Sequence, residues 1–326
     1  MKIAAGIQSL FKNGILEIIL VLLCVVLALT ASGFLTAENL LNVLRNVSMQ
    51  GVIAFGMTMV IVAGEIDLSV GSAVAFSACL TAFLTQKMSG EWFSLPIAMA
   101  IAIAMLCVLI VGFFLGVFTG FMRTRYRVPS FITTLALMTG LSGAAELITN
   151  GFPLTPFPGW YNFIGGGYVV GIPFPAILFL LTFLVLQFLM NYTSFGRSVY
   201  AVGGNTEAAR LSGINVNRVK MMVLGITSFL AALSGIMVSS EIMSGTATTA
   251  KGWELDVIAA VIIGGTSLMG GVGRIWGTMI GVVFLGVLMN GMTLLNVSEY
   301  WQHVVRGVII LVAVLLNLLQ KEKGRR

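Results

Sequence analysis

The chain has 326 residues, of which 58% are hydrophobic and 9% are charged, and its mean hydropathy is +1.03. Soluble globular domains carry about 25% charged residues, so this composition excludes a soluble protein and indicates one that crosses a membrane several times. The formal net charge of +6 does not indicate nucleic-acid binding, because most basic residues lie in short loops and at the C-terminus, as membrane orientation requires.

Ten apolar segments approach the roughly 20 residues that a helix needs to span a bilayer. They cover roughly residues 14–34, 47–64, 69–86, 94–122, 129–149, 173–190, 219–242, 255–270, 275–296 and 300–320. We interpret the first as a retained span and not as a cleaved signal peptide. The second, third and eighth are short, and glycine or charge is frequent in the flanking residues 64–71 and 264–273, which predicts broken or half-spanning helices. The expected fold is all-α, a single membrane domain over residues 1–326.

The distribution of Lys and Arg predicts the orientation of these segments. With a cytoplasmic N-terminus, the outside loops contain only Arg45, Lys87 and Lys251 as basic residues. Arg306 falls within the last span, and the other basic residues, including those of residues 1–13 and of the C-terminal tail, lie in cytoplasmic segments. Because cytoplasmic loops carry the excess of Lys and Arg, both termini are expected inside.

The stretch GEIDLSVGS contains two carboxylates, Glu65 and Asp67, between the second and third segments. Ionisable residues at membrane depth are costly and are candidates for function. One interpretation is that Asp67 and Ser69 cap the third span, with Gly64 and Gly71 allowing close packing. The other is a substrate or proton site.

The longest clearly polar stretch runs from Asn191 to Met222, with a loop over about residues 191–220 that the orientation places in the cytoplasm. Asn205 can cap a helix, Glu207 lies where the helix dipole favours an acid, and Gly213 can end the helix. A helix is therefore predicted from Thr206 to Ser212. So short a helix is not stable alone, because nucleation is costly.

Two interpretations of this short helix remain open: an ordinary cytoplasmic loop, or a docking helix for a soluble partner protein. Ala208 and Ala209 would give the helix a small-residue surface that another protein can approach closely. The surroundings are basic, with Arg197, Arg210, Arg218 and Lys220.

The glycine-rich stretch GGTSLMGGVG, residues 264–273, lacks the Gly-Lys-Ser/Thr ending of a phosphate-binding loop, so nucleotide hydrolysis is not expected of this chain. Gly264 and Gly265 are expected to permit close helix contact or an unwound backbone near a transport pathway. The three cysteines lack metal-type spacing, and no zinc or nucleophile motif is present, so neither a metal nor catalysis is expected.

Three stretches carry a resemblance: GMTMVIVAGEIDLSVGS (residues 56–72), FGRSVYAVGGNTEAARLSGINVNRVK (195–220) and the segment from Glu254 to Asn317. They resemble the permease subunits of bacterial ABC sugar importers, the ribose permease group, over nearly the whole chain. The resemblance implies a multi-pass protein of the bacterial inner membrane, surrounded by lipid and paired with a second permease copy, identical or related. It also implies a cytoplasmic ATPase subunit, which uses ATP and Mg²⁺, and a periplasmic sugar-binding protein. The chain itself is expected to bind no cofactor and no nucleic acid.

In that family the loop pattern Gly-Asn-x-x-Ala-Ala-x-x-x-Gly-Ile contacts the ATPase. The pattern is met here by Gly204, Asn205, Ala208, Ala209, Gly213 and Ile214, so the resemblance assigns these residues, with Glu207 and Arg210 among them, to ATPase coupling. The family pattern GxDLSVGS fits only if Glu65 and Ile66 both stand before Asp67. This departure leaves Glu65 without an assigned role.

The function expected is translocation of a monosaccharide or sugar-like molecule by alternating access, driven by a separate ATPase. The binding protein is expected to dock around residues 150–172 and 245–253, and the pathway to be lined by small, mildly polar side chains. Two alternatives are a self-sufficient proton-coupled carrier or channel that uses Asp67 or Glu65, and a membrane scaffold without transport. Pentoses, hexoses, polyols and a furanosyl signal all fit as substrates.

Overall fold

The computed structural model describes residues 14–325, with side chains described through residue 315. The residues 1–13, whose cytoplasmic placement the sequence predicts, lie outside the described part. The described helices are α1 (Ile15–Thr30), α2 (Ala37–Val62), α3 (Val70–Ser89), α4 (Ile97–Arg125), α5 (Ser130–Thr149), α6 (Phe163–Gly166), α7 (Phe174–Tyr192), α8 (Ser194–Gly204), α9 (Thr206–Leu211), α10 (Val216–Ile242), α11 (Trp253–Ile263), α12 (Ile275–Leu294) and α13 (Glu299–Arg325). The strands β1 (Tyr168–Val169) and β2 (Ile172–Pro173) pair as a small hairpin before α7.

Within the described residues, six helices are long and apolar enough to cross a membrane: α2, α4, α5, α7, α10 and α12. This confirms the all-α polytopic membrane fold. The eighth predicted segment is the 11-residue helix α11, as its glycine-rich flank suggested. The prediction that the second segment is short is wrong, because the helix that contains it, α2, has 26 residues.

Helix α2 starts at Ala37, ten residues before the predicted start of the second segment. Hydropathy did not indicate this start, because the first turns of the helix are polar. Thr36 caps the helix, since its hydroxyl accepts a hydrogen bond from the Asn39 amide. The side-chain amides of Asn39 and Asn290 on α12 form two reciprocal hydrogen bonds of 3.0 and 2.8 Å. Moving an amide out of water costs less free energy when it is hydrogen-bonded than when it is unpaired, so a polar helix start is tolerated.

Helices α2 and α10 form the centre of the bundle, and the other long helices pack around them. Gly112, Gly116 and Gly120 on α4 lie one turn apart and face α10; a Cβ on Gly116 would stand 2.2 Å from the Leu224 carbonyl oxygen. Such small residues allow the two backbones to approach closely. Outer helices expose large apolar side chains, such as Phe114 and Leu147, as lipid-facing surfaces do.

Helix α11 packs against α12 through glycines of the stretch 264–273 and of α12. A Cβ on Gly277 would lie 2.0 Å from the Gly264 carbonyl oxygen, and one on Gly281 would lie 2.1 Å from that of Ala260. Gly264 ends α11 and Gly265 has a φ of +89°. Close helix contact and non-helical backbone are therefore both present in this stretch, and its position near a transport pathway stays a prediction.

Candidate functional site

Helix α9 starts at the predicted residue, Thr206, and has the predicted residues at its two ends. The Asn205 side-chain oxygen accepts hydrogen bonds from the amides of Glu207 (3.1 Å) and Ala208 (3.0 Å). Gly213 follows the helix with a φ of +83°, and its amide donates to the Arg210 carbonyl. The helix ends at Leu211, one residue earlier than predicted, so the cap and stop residues define one and a half turns.

The outward face of α9 differs from the predicted pair of alanines. Ala208 is exposed, but Ala209 is buried and packs into the main core, as does Ile214 in part. Leu211 is 79% exposed, and it lies three residues from Ala208 and therefore on the same face. Glu207 and Arg210 form an exposed ion pair beside them. The exposed apolar surface of α9 is thus one alanine and one leucine, and the sequence analysis did not predict the leucine.

Helix α9 rests on α8, which is anchored in the protein interior. Thr193 caps α8 by accepting a hydrogen bond from the Gly196 amide, at 3.2 Å. Val199 and Val202 on α8 are fully buried. The Tyr200 hydroxyl donates to the Gly273 carbonyl at 2.9 Å. Helix α8 therefore connects the exposed α9 to the glycine-rich stretch 264–273.

Three backbone segments meet where α8 ends, with no side chain between them. The Gly271 amide donates to the Val62 carbonyl at the end of α2, at 2.8 Å. A Cβ on Gly203 would lie 1.7 Å from that same carbonyl oxygen, and one on Gly271 would lie 2.8 Å from the Gly204 Cα. Gly270 similarly approaches Gly64. We call this meeting point of α2, α8 and the stretch 264–273 the glycine junction.

A buried cluster of charges lies beside the glycine junction and is centred on Glu65. Arg123, at the end of α4, donates from Nε to both carboxylate oxygens at 2.9 and 3.1 Å. Lys220, near the start of α10, lies with its Nζ 2.5 Å from Oε1. The side chains of Glu65 and Lys220 are 3% and 8% exposed. Glu65 therefore fastens the end of α2 to the ends of α4 and α10, a role that its sequence context did not reveal.

Asp67 holds the chain before α3 and does not cap that helix directly. Its Oδ1 accepts from the Ser69 amide (2.9 Å) and hydroxyl (2.6 Å). Ser69 occupies the cap position without a side-chain cap bond. Burial raises the pKa of the Asp67 carboxyl above its usual range, and the bonds from Ser69 oppose this shift. The capping interpretation is therefore wrong in its geometry, although the carboxylate does order the turn.

The remaining residues of GEIDLSVGS fasten this turn to its neighbours. The amides of Ile66 and Leu68 donate to the hydroxyls of Ser130 and Thr134 on α5. Gly71, in the first turn of α3, faces the start of α11, because a Cβ there would lie 2.3 Å from Glu254 Oε2. The predicted pathway residues thus split between the glycine junction (Gly64) and the contact of α3 with α11 (Gly71).

The two loops that the sequence predicts to lie outside and to dock the binding protein are joined to each other. Leu154 and Gly245 exchange backbone hydrogen bonds of 3.0 and 2.8 Å. Tyr161 is fully buried, and its hydroxyl lies 2.8 Å from that of Ser239 on α10. These contacts fix the loop of residues 150–172 onto the end of α10.

A family model described as "Branched-chain amino acid transport system / permease component" matches residues 39–314. The ribose import permease protein RbsC of Bacillus subtilis is 45% identical, over 91% of this chain and 90% of that protein. RbsC of Haemophilus influenzae is 40% identical, over 92% and 91%. The L-arabinose ABC transporter permease protein AraH of Azospirillum brasilense is 36% identical, over 98% and 91%. No solved structure matches the chain.

Proposed function

Because the chain belongs to the family of branched-chain amino acid transport system permease components, and within it to the ribose-type ABC permeases, we propose that it is the permease subunit of an importer. The importer moves a monosaccharide or sugar-like small molecule across the bacterial inner membrane by alternating access. A separate ATPase subunit, with ATP and Mg²⁺, drives the cycle, and this chain binds no cofactor and catalyses no reaction.

Helix α9 is the proposed contact with the ATPase. Its exposed Ala208 and Leu211 form a small apolar patch, and the exposed Glu207–Arg210 pair lies beside it. A short capped helix of this kind fits a groove on a partner protein. Residues 191–220 would then be the coupling loop of a single membrane domain.

The glycine junction is the observation that carries the proposed coupling. Backbone contacts join α8 to the end of α2 and to the stretch that follows α11, and Glu65 adds a buried link to α4 and α10. Packed backbones deform little, so a displacement of α9 moves these elements together as a rigid body. Both the central helix α2 and the half-length helix α11 would follow the ATPase.

The proposed topology has ten spans, with both termini and α9 in the cytoplasm. Residues 150–172 and 245–253 then face the periplasm, where their mutual hydrogen bonds provide one continuous surface for a sugar-binding protein. A second permease copy, identical or related, completes the transporter within the lipid bilayer. ABC importers combine these parts, and the relatives named as ribose, xylose and arabinose permeases support a sugar as the substrate.

The contacts of the two acidic residues weigh against a proton-coupled carrier. Glu65 accepts hydrogen bonds from two cations on neighbouring helices. Asp67 is fully buried, and its Oδ1 is bound to Ser69. Both groups have a structural role within the residues described, so a carrier mechanism is not needed to explain them.

The test substitutes the outward face of α9. We expect Ala208→Glu and Leu211→Glu each to abolish ATP-dependent sugar uptake and co-purification of the ATPase, because a carboxylate replaces the apolar patch. Ala37→Glu is the matched control, since Ala37 is exposed at the other end of the bundle, in the first turn of α2. Unchanged uptake and co-purification in both α9 variants would refute the docking role.

A further inference from the structure

A cavity of about 370 Å³ lies inside the bundle, away from the glycine junction. It is bordered by α2, α10, α11, α12 and α13, and its lining includes Asn46 and Gln50 on α2 and Glu241 on α10. Gln50 is twelve residues before the Val62 end of α2, which corresponds to roughly 18 Å along the helix. The cavity therefore begins near the middle of a spanning helix.

Several side chains offer unused hydrogen-bonding groups to this cavity. Among the described residues, no side-chain or backbone group hydrogen-bonds to the side-chain amides of Asn46 and Gln50 or to the carboxylate of Glu241. The indole N–H of Trp253 is equally unused. Asn46 is exposed, and Gln50, Glu241 and Trp253 are half-buried. Unpaired polar groups at membrane depth are costly and point to function. These four groups come from three different helices and converge on one space.

The charges around the cavity are balanced. Asp256 on α11 and Arg306 on α13 form an ion pair, with 2.9 Å between Oδ1 and Nε. Arg45, five residues before Gln50 on α2, attracts Glu241 electrostatically. Each carboxylate thus has a neighbouring cation, so the cavity favours a neutral ligand with many hydroxyl groups over an ion.

The size and shape of the cavity suit one small ring. Small-molecule sites measure about 300–1,000 Å³, and this cavity is at the lower end of that range. The indole of Trp253 borders the cavity and can pack against the C–H face of a ring, while the amides and carboxylates can bind its hydroxyls. A polyol that leaves water must replace the hydrogen bonds of those hydroxyls, and these groups can do so.

We propose that this cavity is a transit site for a neutral cyclic polyol, a furanose or pyranose, bound by Asn46, Gln50, Glu241 and Trp253. The site rests on the proposed function as a sugar permease and adds where the sugar is held within it. In this site, amide and carboxylate groups would bind the sugar beside small or mildly polar residues such as Gly286 and Thr293, which also line the cavity.

The test measures uptake of radiolabelled D-ribose in proteoliposomes that contain the permease, its ATPase and its binding protein, together with ATP hydrolysis in the same vesicles. We expect Gln50→Met, which keeps the side-chain shape and removes the amide, to lower sugar uptake per ATP hydrolysed about five- to tenfold, as loss of one or two hydrogen bonds would. Binding-protein-stimulated ATP hydrolysis should persist, and Gln50→Asn, which keeps the amide on a shorter side chain, should retain more uptake than Gln50→Met.

Gln86→Met is the matched control, because Gln86 is exposed near the end of α3 and outside the cavity lining. Full uptake in Gln50→Met would overturn the site and leave the proposed function intact. Loss of both uptake and ATP hydrolysis in Gln50→Met and Gln50→Asn alike would assign Gln50 to folding or coupling and also overturn the site. If the unsubstituted transporter takes up none of a panel of labelled pentoses, hexoses and cyclic polyols, the proposed function itself fails.

Discussion

Replacing Glu65 with Gln should destabilise the bundle, because it leaves a buried lysine without its counter-charge. Breaking a buried ion pair costs about 3–5 kcal/mol. The Arg123 side chain is 32% exposed, so solvent screens its ion pair with Glu65. Loss of that pair costs about 1 kcal/mol or less of stability. Most of the loss comes from Lys220, and we expect about 3 kcal/mol in total. For a chain of 326 residues, this lowers Tm by roughly 5 °C.

The assay is thermal unfolding of the detergent-solubilised protein, followed by tryptophan fluorescence. Glu91→Gln is the matched control, because the Glu91 side chain is 69% exposed in its pair with Lys87, and an exposed pair contributes about 0–1 kcal/mol. The double variant Glu65→Gln with Lys220→Met should lose less than the sum of the single losses, since the uncompensated charge is gone. A Tm within 1 °C of the unsubstituted protein for Glu65→Gln, or additive losses, would refute the role of the cluster.

Two further predictions concern packing and pH. Gly116→Val should prevent α4 from reaching α10, because a Cβ would already lie 2.2 Å from the Leu224 carbonyl oxygen; Gly140→Val, where a Cβ meets nothing within 4 Å, should leave the yield of folded protein unchanged, and equal yields of the two variants would contradict this packing. Burial raises the pKa of Asp67, so the folded state binds this proton more tightly than the unfolded state does. The resulting stabilisation is present below the usual Asp pKa and is lost as pH rises through the raised value. Asp67→Asn should therefore reduce the fall in Tm with rising pH, and an unchanged slope would contradict the assignment.

The local signals in the sequence predicted α9 well because they act over a few residues. Asn205 and Gly213 fix the two ends of the helix through bonds within the loop itself. The faces of the helix were harder to predict, because the burial of Ala209 depends on the core beneath it. The exposure of Leu211 follows from the same packing, and no local sequence pattern predicts it.

The charged cluster could not be predicted because its members are distant in the chain. Glu65 is 58 residues from Arg123 and 155 from Lys220, and only the packing of α2 against α4 and α10 brings them together. One signal was available: all three residues fall at ends of predicted spans on the same side of the membrane. Opposite charges at such ends can pair, which would have given Glu65 a structural role.

The start of α2 was predicted incorrectly because polar side chains in its first turns are hydrogen-bonded to, or face, other helices. The first turns of α2 contain Asn39, Asn42, Arg45 and Asn46, so hydropathy alone placed the start of the segment too late. Asn39 pairs with Asn290, whereas Asn46 faces the cavity. The polar side chains that lower the hydropathy of this part of α2 include the residues that line the proposed transit site.

The most direct test of the account is transport by the chain with and without its proposed partners. Proteoliposomes would contain the permease alone, the permease with its ATPase, or both with the sugar-binding protein, and uptake of labelled sugar would be followed with and without ATP. We predict uptake only when ATPase, binding protein and ATP are all present. Equal uptake by the permease alone, driven by a sugar or proton gradient, would contradict the account and make Asp67 and Glu65 the residues to examine.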